Sequence, residues 1–494
     1  MALGEKKPRA RKQPQGILPF DYELGGEPED ITARGGLPLA LETMQVLGVP
    51  EAVREHVHIR KRDTGYSELE HVEALVLLLC AGGEHMDDMA LLGADRGLLC
   101  LLDKQQLPSP DATRQFLLAF HDEGLLEQAR QRMRPEEKSL LAPESEALLG
   151  LGRVLEQTVV RMQQLSAATT ATLEMDATCI ESRKREAMPL YEGGRGYQPE
   201  VVYWVEQDLV VADEFRDGNV PAGKGPLAVI ERGFARLPAS VEHRRFRADS
   251  ACYEEATLKW LADPRNRIER FTVSADMSRE LHALCLAVPE ADWTAYEQRA
   301  HETVCFSEVE FTPGNWGKTA RPLRTLVLRV VKRQGELFAH GSDRLYLAIV
   351  SNDTPTEGAA LIRWHYQKAG HIEIVHDVLK NELGGGVLPC GAFGANAAWF
   401  RLCCLAHNVL SAMKTHVLPP KLADARPKRL RFAVFTMPAR VLSHARRICA
   451  RVAAAYAAAC ELLLSRRRLR RLWDRLLLGS AAPDDRPALR LASG

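Results

Sequence analysis

The sequence predicts a mixed α/β protein with helical regions before and after a β-rich centre. Apolar residues recur at three- and four-residue spacing from about 36 to 165, the pattern of amphipathic helices. Segments rich in β-formers begin at residue 171 and return as far as residue 351. A stretch rich in Ala, Arg and Leu, from about Ala439 to Leu478, predicts a long closing helix.

Length and charge leave several function classes open. The chain has 494 residues, enough for several domains. Its 65 basic and 65 acidic residues cancel, but basic residues cluster at 5–12 and 465–475, which suits contact with nucleic acid. Eleven cysteines without a CxxC pair are typical of a reducing cytosol. With no signal peptide and no apolar stretch long enough for a bilayer, we expect a cytoplasmic protein without membrane contact.

The first helical region contains a candidate DNA-binding motif. Short helices are predicted over Glu70–Cys80 and Met86–Leu92, and Ser109 is placed to cap a third that begins at Pro110. Three short helices in succession are compatible with a helix-turn-helix, in which Arg114 would lie near the start of the DNA-reading helix. A plain helical bundle explains the same pattern, and this alternative stays open.

Three carboxylates form the candidate catalytic site. Asp176 ends a β-rich segment in LEMDAT, Asp249 ends another in FRADS, and Glu373 lies in a predicted helix from His371 to Leu383. Strand ends are where ligands usually bind in α/β sheets. Such carboxylates suit a pair of hard cations, which bind oxygen ligands and promote in-line displacement at phosphorus.

The segment from Tyr366 to Lys380 resembles a signature of bacterial insertion-sequence transposases, which reads Tyr-x2-Arg-x3-Glu-x6-Lys. Tyr366, Glu373 and Lys380 match in type and spacing, while Ala369 replaces the usual Arg beside Lys368. Residues seven apart fall in one stripe of a continuous helix, so we expect these three to share one face. The segments RADSACY, FRDGN and GANAAWFRLCCLAHNVL resemble further landmarks in the same order, and residues 65–95 resemble insertion-sequence group thirteen-eighty.

This resemblance implies a ribonuclease H-like core, a mixed five-stranded sheet flanked by helices. It also implies an insertion between Asp249 and Glu373, which are 124 positions apart (373 minus 249), and this interval contains several β-rich segments. The expected divisions are a flexible basic arm (1–35), a helical DNA-binding region (36–165), the first part of the core (166–275), a β-rich insertion (276–355), the second part of the core (356–420) and a helical C-terminal region (421–494).

The resemblance further implies a DNA transposase that uses two Mg²⁺ ions, with Mn²⁺ as a substitute, held by Asp176, Asp249 and Glu373. Its partners would be double-stranded DNA, as terminal inverted repeats and target, and a second copy of the chain in a synaptic complex, in a bacterial nucleoid. The candidate DNA-contacting residues are Tyr366, Lys380, Lys368, His376, Trp316, Arg114, Arg466 and Arg467. For Trp316 a turn-packing role competes with base stacking, and for the arginines a solvated helix face competes with phosphate contact.

Two other functions remain compatible with the sequence. One is a transposase-derived DNA-binding protein that has lost catalysis, which the intact Asp, Asp and Glu disfavour and Ala369 weakly favours. The other is a nuclease of the same fold that uses water alone as the nucleophile. An unrelated enzyme dependent on a nucleotide cofactor would need a GxGxxG or P-loop motif, and neither is present.

Overall fold

A computed structural model describes residues 31–478, except 61–63, 313–315, 317–322, 334–335, 445–446, 454–455 and 457. After a short strand, β1 (Ile31–Thr32), helices fill the first part of the chain. They are α1 (Pro38–Val46), α2 (Val49–His56), α3 (Glu68–Ala81), α4 (Asp88–Gly93), α5 (Arg96–Leu101), α6 (Pro110–Leu118), α7 (Glu123–Arg132) and α8 (Glu146–Leu165). No helix among the described residues combines the length and the apolar character needed to cross a membrane.

Capping side chains set where these helices begin. Ser67 and Glu70 form a reciprocal capping box at the start of α3, which satisfies two backbone N–H groups that lack helical partners. Ser109 Oγ accepts from the backbone N–H of Ala112 at 3.2 Å, and Pro110 occupies the first turn, so the predicted start of α6 is confirmed.

The central sheet confirms the mixed α/β class and is larger than expected. Its strands are β2 (Thr170–Ala177), β6 (Glu200–Trp204), β7 (Leu209–Glu214), β8 (His243–Ala248), β9 (Ile268–Ala275), β10 (Thr294–Gln298), β11 (Glu302–Val309), β12 (Arg324–Lys332) and β13 (Arg344–Ser351). The described residues place these nine in one sheet, in the order β10-β11-β12-β13-β9-β8-β2-β6-β7. A small sheet of β3 (Ile180–Glu181), β4 (Met188–Pro189) and β5 (Arg195–Tyr197) follows β2.

Five of the nine strands combine parallel and antiparallel pairing. β2 pairs in parallel with β8, and β8 with β9, whereas β6 is antiparallel to both β2 and β7. The helix α9 (Pro226–Ala235) packs on β2, β6 and β7, and α10 (Glu255–Ala262) packs on β9. The helix α14 (Phe393–Ala412) is buried along nearly its whole length between α8, α3 and β7.

The strands between the two parts of the core extend the same sheet. β13 pairs antiparallel with β9, from Ala348 opposite Ala275 to Ser351 opposite Thr272. The helices α11 (Arg279–Ala287) and α12 (Gly358–Tyr366) flank these strands in sequence, and α12 packs on β11 in a second apolar cluster. A β-rich segment is therefore present, but it continues the central sheet instead of forming a sheet of its own.

The predictions for the two ends of the chain need correction. After α13 (Ile372–Asn381) and α15 (Pro427–Leu430), the residues expected to start one long helix form the hairpin β14 (Ala439–His444) and β15 (Arg447–Val452), and α16 begins only at Ala459 and ends at Leu478. Tertiary pairing explains the difference, because β14 also pairs with Ile31–Thr32 of the expected flexible arm. Residues 1–30 of that arm and 479–494 of the C-terminal region lie outside the described residues.

Candidate catalytic carboxylates

Two aspartates meet at one edge of the sheet because of the parallel pairing of β2 and β8. Met175 lies opposite Ala248 in that pairing, so the residues that directly follow them, Asp176 and Asp249, lie at the same edge. Asp176 Oδ1 accepts from the N–H of Ala177 at 2.9 Å. Asp249 Oδ1 accepts from the N–H of Ala251 at 3.0 Å and caps a short 3-10 turn. The strand-end positions predicted for both aspartates are observed.

The third carboxylate lies near the start of α13. Glu373 is the second residue of that helix and is exposed. The expected single stripe with Tyr366 is wrong, since α12 ends at Tyr366 and a 3-10 turn over 367–370 precedes α13. His371, with φ −121° and ψ −78°, leaves the helical region and separates the two helices. Glu373 and Lys380 still share one helix.

The charges at this edge repel each other. Burial raises the pKa of Asp176 to about 6, and the neighbouring charges of Asp249 and Glu373 contribute, whereas the Lys368 ammonium opposes the change. His376 Nε2 lies 3.7 Å from Asp176 Oδ2, but burial lowers the pKa of this imidazole to about 3, so it is neutral at pH 7. Within the described part of the chain, no arginine or lysine forms an ion pair with any of the three carboxylates.

These carboxylates belong to the chemical class of ligand that hard divalent cations prefer. Asp176 and Asp249 both line one cleft, while Glu373 lies outside its lining. Throughout the described residues, no three His, Cys, Asp or Glu side chains are grouped closely enough to hold one ion together. Joint binding would therefore require the exposed Glu373 side chain to move towards the aspartate pair. An added cation would offset the repulsion that acts on Asp176.

The cleft beside the aspartates has a volume of about 430 Å³. Residues 189–191 of the β4 hairpin form one wall, and residues 218–222 after β7 form another. Tyr191 is 75% exposed there, which is unusual for so large a ring. Our sequence reasoning missed Tyr191 and Asn219 as candidate site residues. The turn sequence around Tyr191 and the FRDGN segment that contains Asn219 were the available signals.

The predicted DNA-contacting residues near this edge differ in accessibility. Lys368 is half-buried and close enough to lower the pKa of Asp176, while the Lys380 ammonium donates to the carbonyl of Cys179 at 3.3 Å. Tyr366 is 39% exposed at the end of α12. His376 is 5% exposed beneath Asp176, so solvent hardly reaches its ring in this conformation.

Trp316, 3% exposed, packs in the main apolar core. The buried position of its ring agrees with the packing role, which was the alternative to stacking on a DNA base.

The remaining predicted contacts lie away from the cleft lining. Arg114 forms ion pairs with Asp87 and Asp111, all on the surface. Arg466 pairs with Glu42 at 2.9 Å, and Arg467 is exposed beside it on α16. These two arginines line a groove of about 490 Å³ between α1 and α16. DNA contact by these arginines stays a prediction.

Comparisons with known proteins place this chain in a family. A family model described as "Transposase DDE domain group 1" matches residues 23–474. Among solved structures, the piggyBac transposase synaptic complex with hairpin DNA has a TM-score of 0.43 and 11% sequence identity, over 94% of this chain and 90% of that chain. A search of curated proteins finds no match.

Proposed function

This chain belongs to the transposase DDE domain group 1 family, and from that premise we propose that it is a DNA transposase of a bacterial insertion sequence. It would bind the inverted repeats at the element ends, hydrolyse a phosphodiester there and join the freed 3′-hydroxyl to target DNA. Its partners would be double-stranded DNA and a second copy of the chain. The five strands β9-β8-β2-β6-β7 would form a ribonuclease H-like core.

The observation that carries this proposal is the meeting of Asp176 and Asp249 at one sheet edge, with Glu373 near enough to act on the pKa of Asp176. Repelling carboxylates without a basic ion-pair partner are costly for a fold, and active sites are where such costs are commonly retained. The family match covers the segments that contain all three residues.

The residues of the site have three kinds of role in this proposal. The carboxylates of Asp176, Asp249 and Glu373 would hold divalent ions, Mg²⁺ with Mn²⁺ as a substitute, which activate the attacking oxygen and stabilise the leaving one. Lys368 and Lys380 would contact phosphates of the DNA strand that is cut, and these contacts would fix the position of the DNA relative to the carboxylates. The exposed ring of Tyr191 would lie along the DNA in the cleft.

A cleavage assay with a matched pair of variants tests the proposal. The substrate is linear DNA that carries the inverted repeats flanking the reading frame, with Mg²⁺ and an unlabelled target duplex. We expect Asp249→Asn to reduce cleavage and strand transfer to background while end binding persists, because the amide removes a carboxylate from the site. Asp292→Asn, at an exposed position in the 3-10 turn before β10, should leave both activities unchanged.

The results separate the competing functions. Cleavage that persists in Asp249→Asn would contradict the assignment of the site. Binding of the ends without cleavage by the wild type would favour the catalytically inactive DNA-binding alternative. Cleavage without strand-transfer products would favour a nuclease.

A further inference from the structure

A buried ion pair lies directly beneath the two aspartates. Glu174 on β2 and Arg247 on β8 have side chains that are 0% and 2% exposed, and they are 2.6 Å apart. They are register partners, and each lies two residues before an aspartate of the site. Because side chains alternate along a strand, Glu174 and Asp176 point to the same face of β2.

This ion pair also binds the turn that joins α12 to α13. Glu174 Oε2 accepts from the backbone N–H of Ile372 at 3.1 Å, and its Oε1 lies 3.1 Å from His371 Nδ1. Arg247 donates to the carbonyl of Trp364 and, at 3.2 Å, to Gln367 Oε1. Two strands of the sheet therefore hold both sides of one turn.

The contact with Ile372 replaces a helix cap. His371, at the cap position of α13, makes no capping hydrogen bond with its own side chain. The first N–H groups of a helix lack partners within the helix and need acceptors elsewhere. Glu174 supplies that acceptor from the sheet, and a carboxylate suits the positive end of the helix dipole. Glu373 is the next residue, so this contact determines where its backbone lies relative to β2.

Stabilisation of the fold does not explain why two charged residues occupy these buried positions, since the cost of desolvation offsets much of the attraction in a buried ion pair. The directed contacts are more informative, because they all end in the segment 364–372 just before Glu373. We propose that Glu174 and Arg247 are positioning residues that hold the start of α13, and with it Glu373, in place relative to Asp176 and Asp249. This inference rests on the proposed function, in which the three carboxylates hold divalent ions together.

The test compares Glu174→Gln with Glu144→Gln, a variant that loses another buried carboxylate, which pairs with Arg401 and Arg232. Two measurements do not depend on catalysis: Ca²⁺ binding by calorimetry, and hydrogen exchange of the peptide that covers residues 367–375. Residues that orient metal ligands typically change metal affinity by roughly 10–100-fold. We therefore expect Glu174→Gln to weaken Ca²⁺ binding by about 10-fold or more and to speed exchange selectively at 367–375. Glu144→Gln, which weakens the fold as a whole, should leave Ca²⁺ affinity unchanged and speed exchange at 367–375 no more than in the rest of the chain.

The cleavage assay adds a distinction between positioning and general destabilisation. Glu174→Gln should raise the Mn²⁺ concentration for half-maximal cleavage by about 10-fold, excess Mn²⁺ should restore much of kcat, and DNA-end affinity should stay within about twofold. Unchanged exchange and unchanged metal dependence in folded Glu174→Gln would overturn the inference while leaving the transposase proposal intact. A wild type that binds Ca²⁺ but does not cleave would contradict the proposed function alone.

A milder variant keeps the inference testable if Glu174→Gln fails to fold. The double substitution Gln367→Ala with His371→Ala removes three contacts of the ion pair and leaves the pair itself in place. It should speed exchange at 367–375 and weaken Ca²⁺ binding by about threefold, a smaller change because the Ile372 contact remains. No change in either measurement would overturn the positioning role.

Discussion

An ion-pair network joins the helical N-terminal region to the central sheet. Its contribution to the free energy of unfolding can be calculated from the pKa of one carboxylate, Glu144. Glu144, just before α8, accepts from Arg401 at 2.9 and 3.1 Å and from Arg232 at 3.0 Å. Arg401 also binds Asp213 of β7, at 2.9 Å. The four chain segments that meet here belong to different parts of the sequence, so we expect the loss of Glu144 to weaken the whole fold.

The pKa of Glu144 gives the magnitude and its sign. Burial alone would raise this pKa, but the two guanidinium groups outweigh it and lower the value from 4.5 to about 2. A difference of about 2.5 in pKa corresponds to roughly 3 kcal/mol of stabilisation. The side chain is only 13% exposed, so solvent screening reduces this little. Because the pKa is lowered on folding, the contribution is full above pH 4.5 and is lost as the pH falls towards 2.

The assay is urea unfolding of wild type and Glu144→Gln at pH 7, 4 and 3. We expect the variant to lose about 3 kcal/mol of unfolding free energy at pH 7 and about half of that at pH 3. The control Glu146→Gln, exposed in the first turn of α8, should change stability by no more than about 0.5 kcal/mol. A loss below about 1 kcal/mol at pH 7, or one that stays constant down to pH 3, would refute the electrostatic reasoning.

Four further predictions concern single positions. Burial raises the pKa of Asp217 from 3.8 to about 6, so Asp217→Asn should stabilise the protein by roughly 3 kcal/mol at pH 8 and by nothing measurable near pH 3.5. The cost of this raised pKa begins above the unfolded-state value of 3.8 and is complete above about 6; equal effects in urea unfolding at both pH values would contradict this. A Cβ on Gly150 would overlap the backbone of α2, whereas one on Gly124 would meet ordinary contacts, so Gly150→Ala should lose about 2 kcal/mol or more and Gly124→Ala should be neutral or stabilising by thermal unfolding. Lys380→Ala should slow DNA cleavage without lowering the melting temperature, and a normal cleavage rate would remove Lys380 from the site. Arg467→Ala should reduce the slope of log affinity against log salt for DNA by about 0.9 if this exposed arginine contacts a phosphate, and an unchanged slope would favour the solvated helix face.

Local patterns predicted that each of the two aspartates lies at the end of a strand. LEMDAT and FRADS place one aspartate each where a β-rich segment ends, and the parallel pairing of β2 with β8 brings these ends to one edge. Ser109 likewise indicates the start of α6, since a capping serine accepts a hydrogen bond from a backbone N–H no more than three residues later in the sequence. Such features depend on neighbours in sequence, which is why sequence reasoning finds them.

Features that depend on distant segments were missed. Residues 439–452 contain Ala and Arg in a pattern typical of helices, yet pairing with Ile31–Thr32 makes them strands. Ala439 and Val441 are buried while Arg440 between them is exposed, an alternation with period two that is visible only once the partner strand is known. The extension of the central sheet by β13 is a contact of the same kind, because its partner β9 lies some seventy residues earlier in the chain.

The position of Glu373 depends both on residues close to it in the sequence and on a residue far from it. The seven-residue spacing to Lys380 holds because it lies within one helix, whereas the same spacing back to Tyr366 fails because the chain turns at 367–371. That turn is bound by Glu174, almost two hundred residues earlier, through the N–H of Ile372. A motif with fixed spacing therefore describes this site only in part, since the direction in which Glu373 leaves the turn depends on a buried carboxylate outside the motif. Substitutions at Glu174 should thus disturb the site while every residue of the motif is intact.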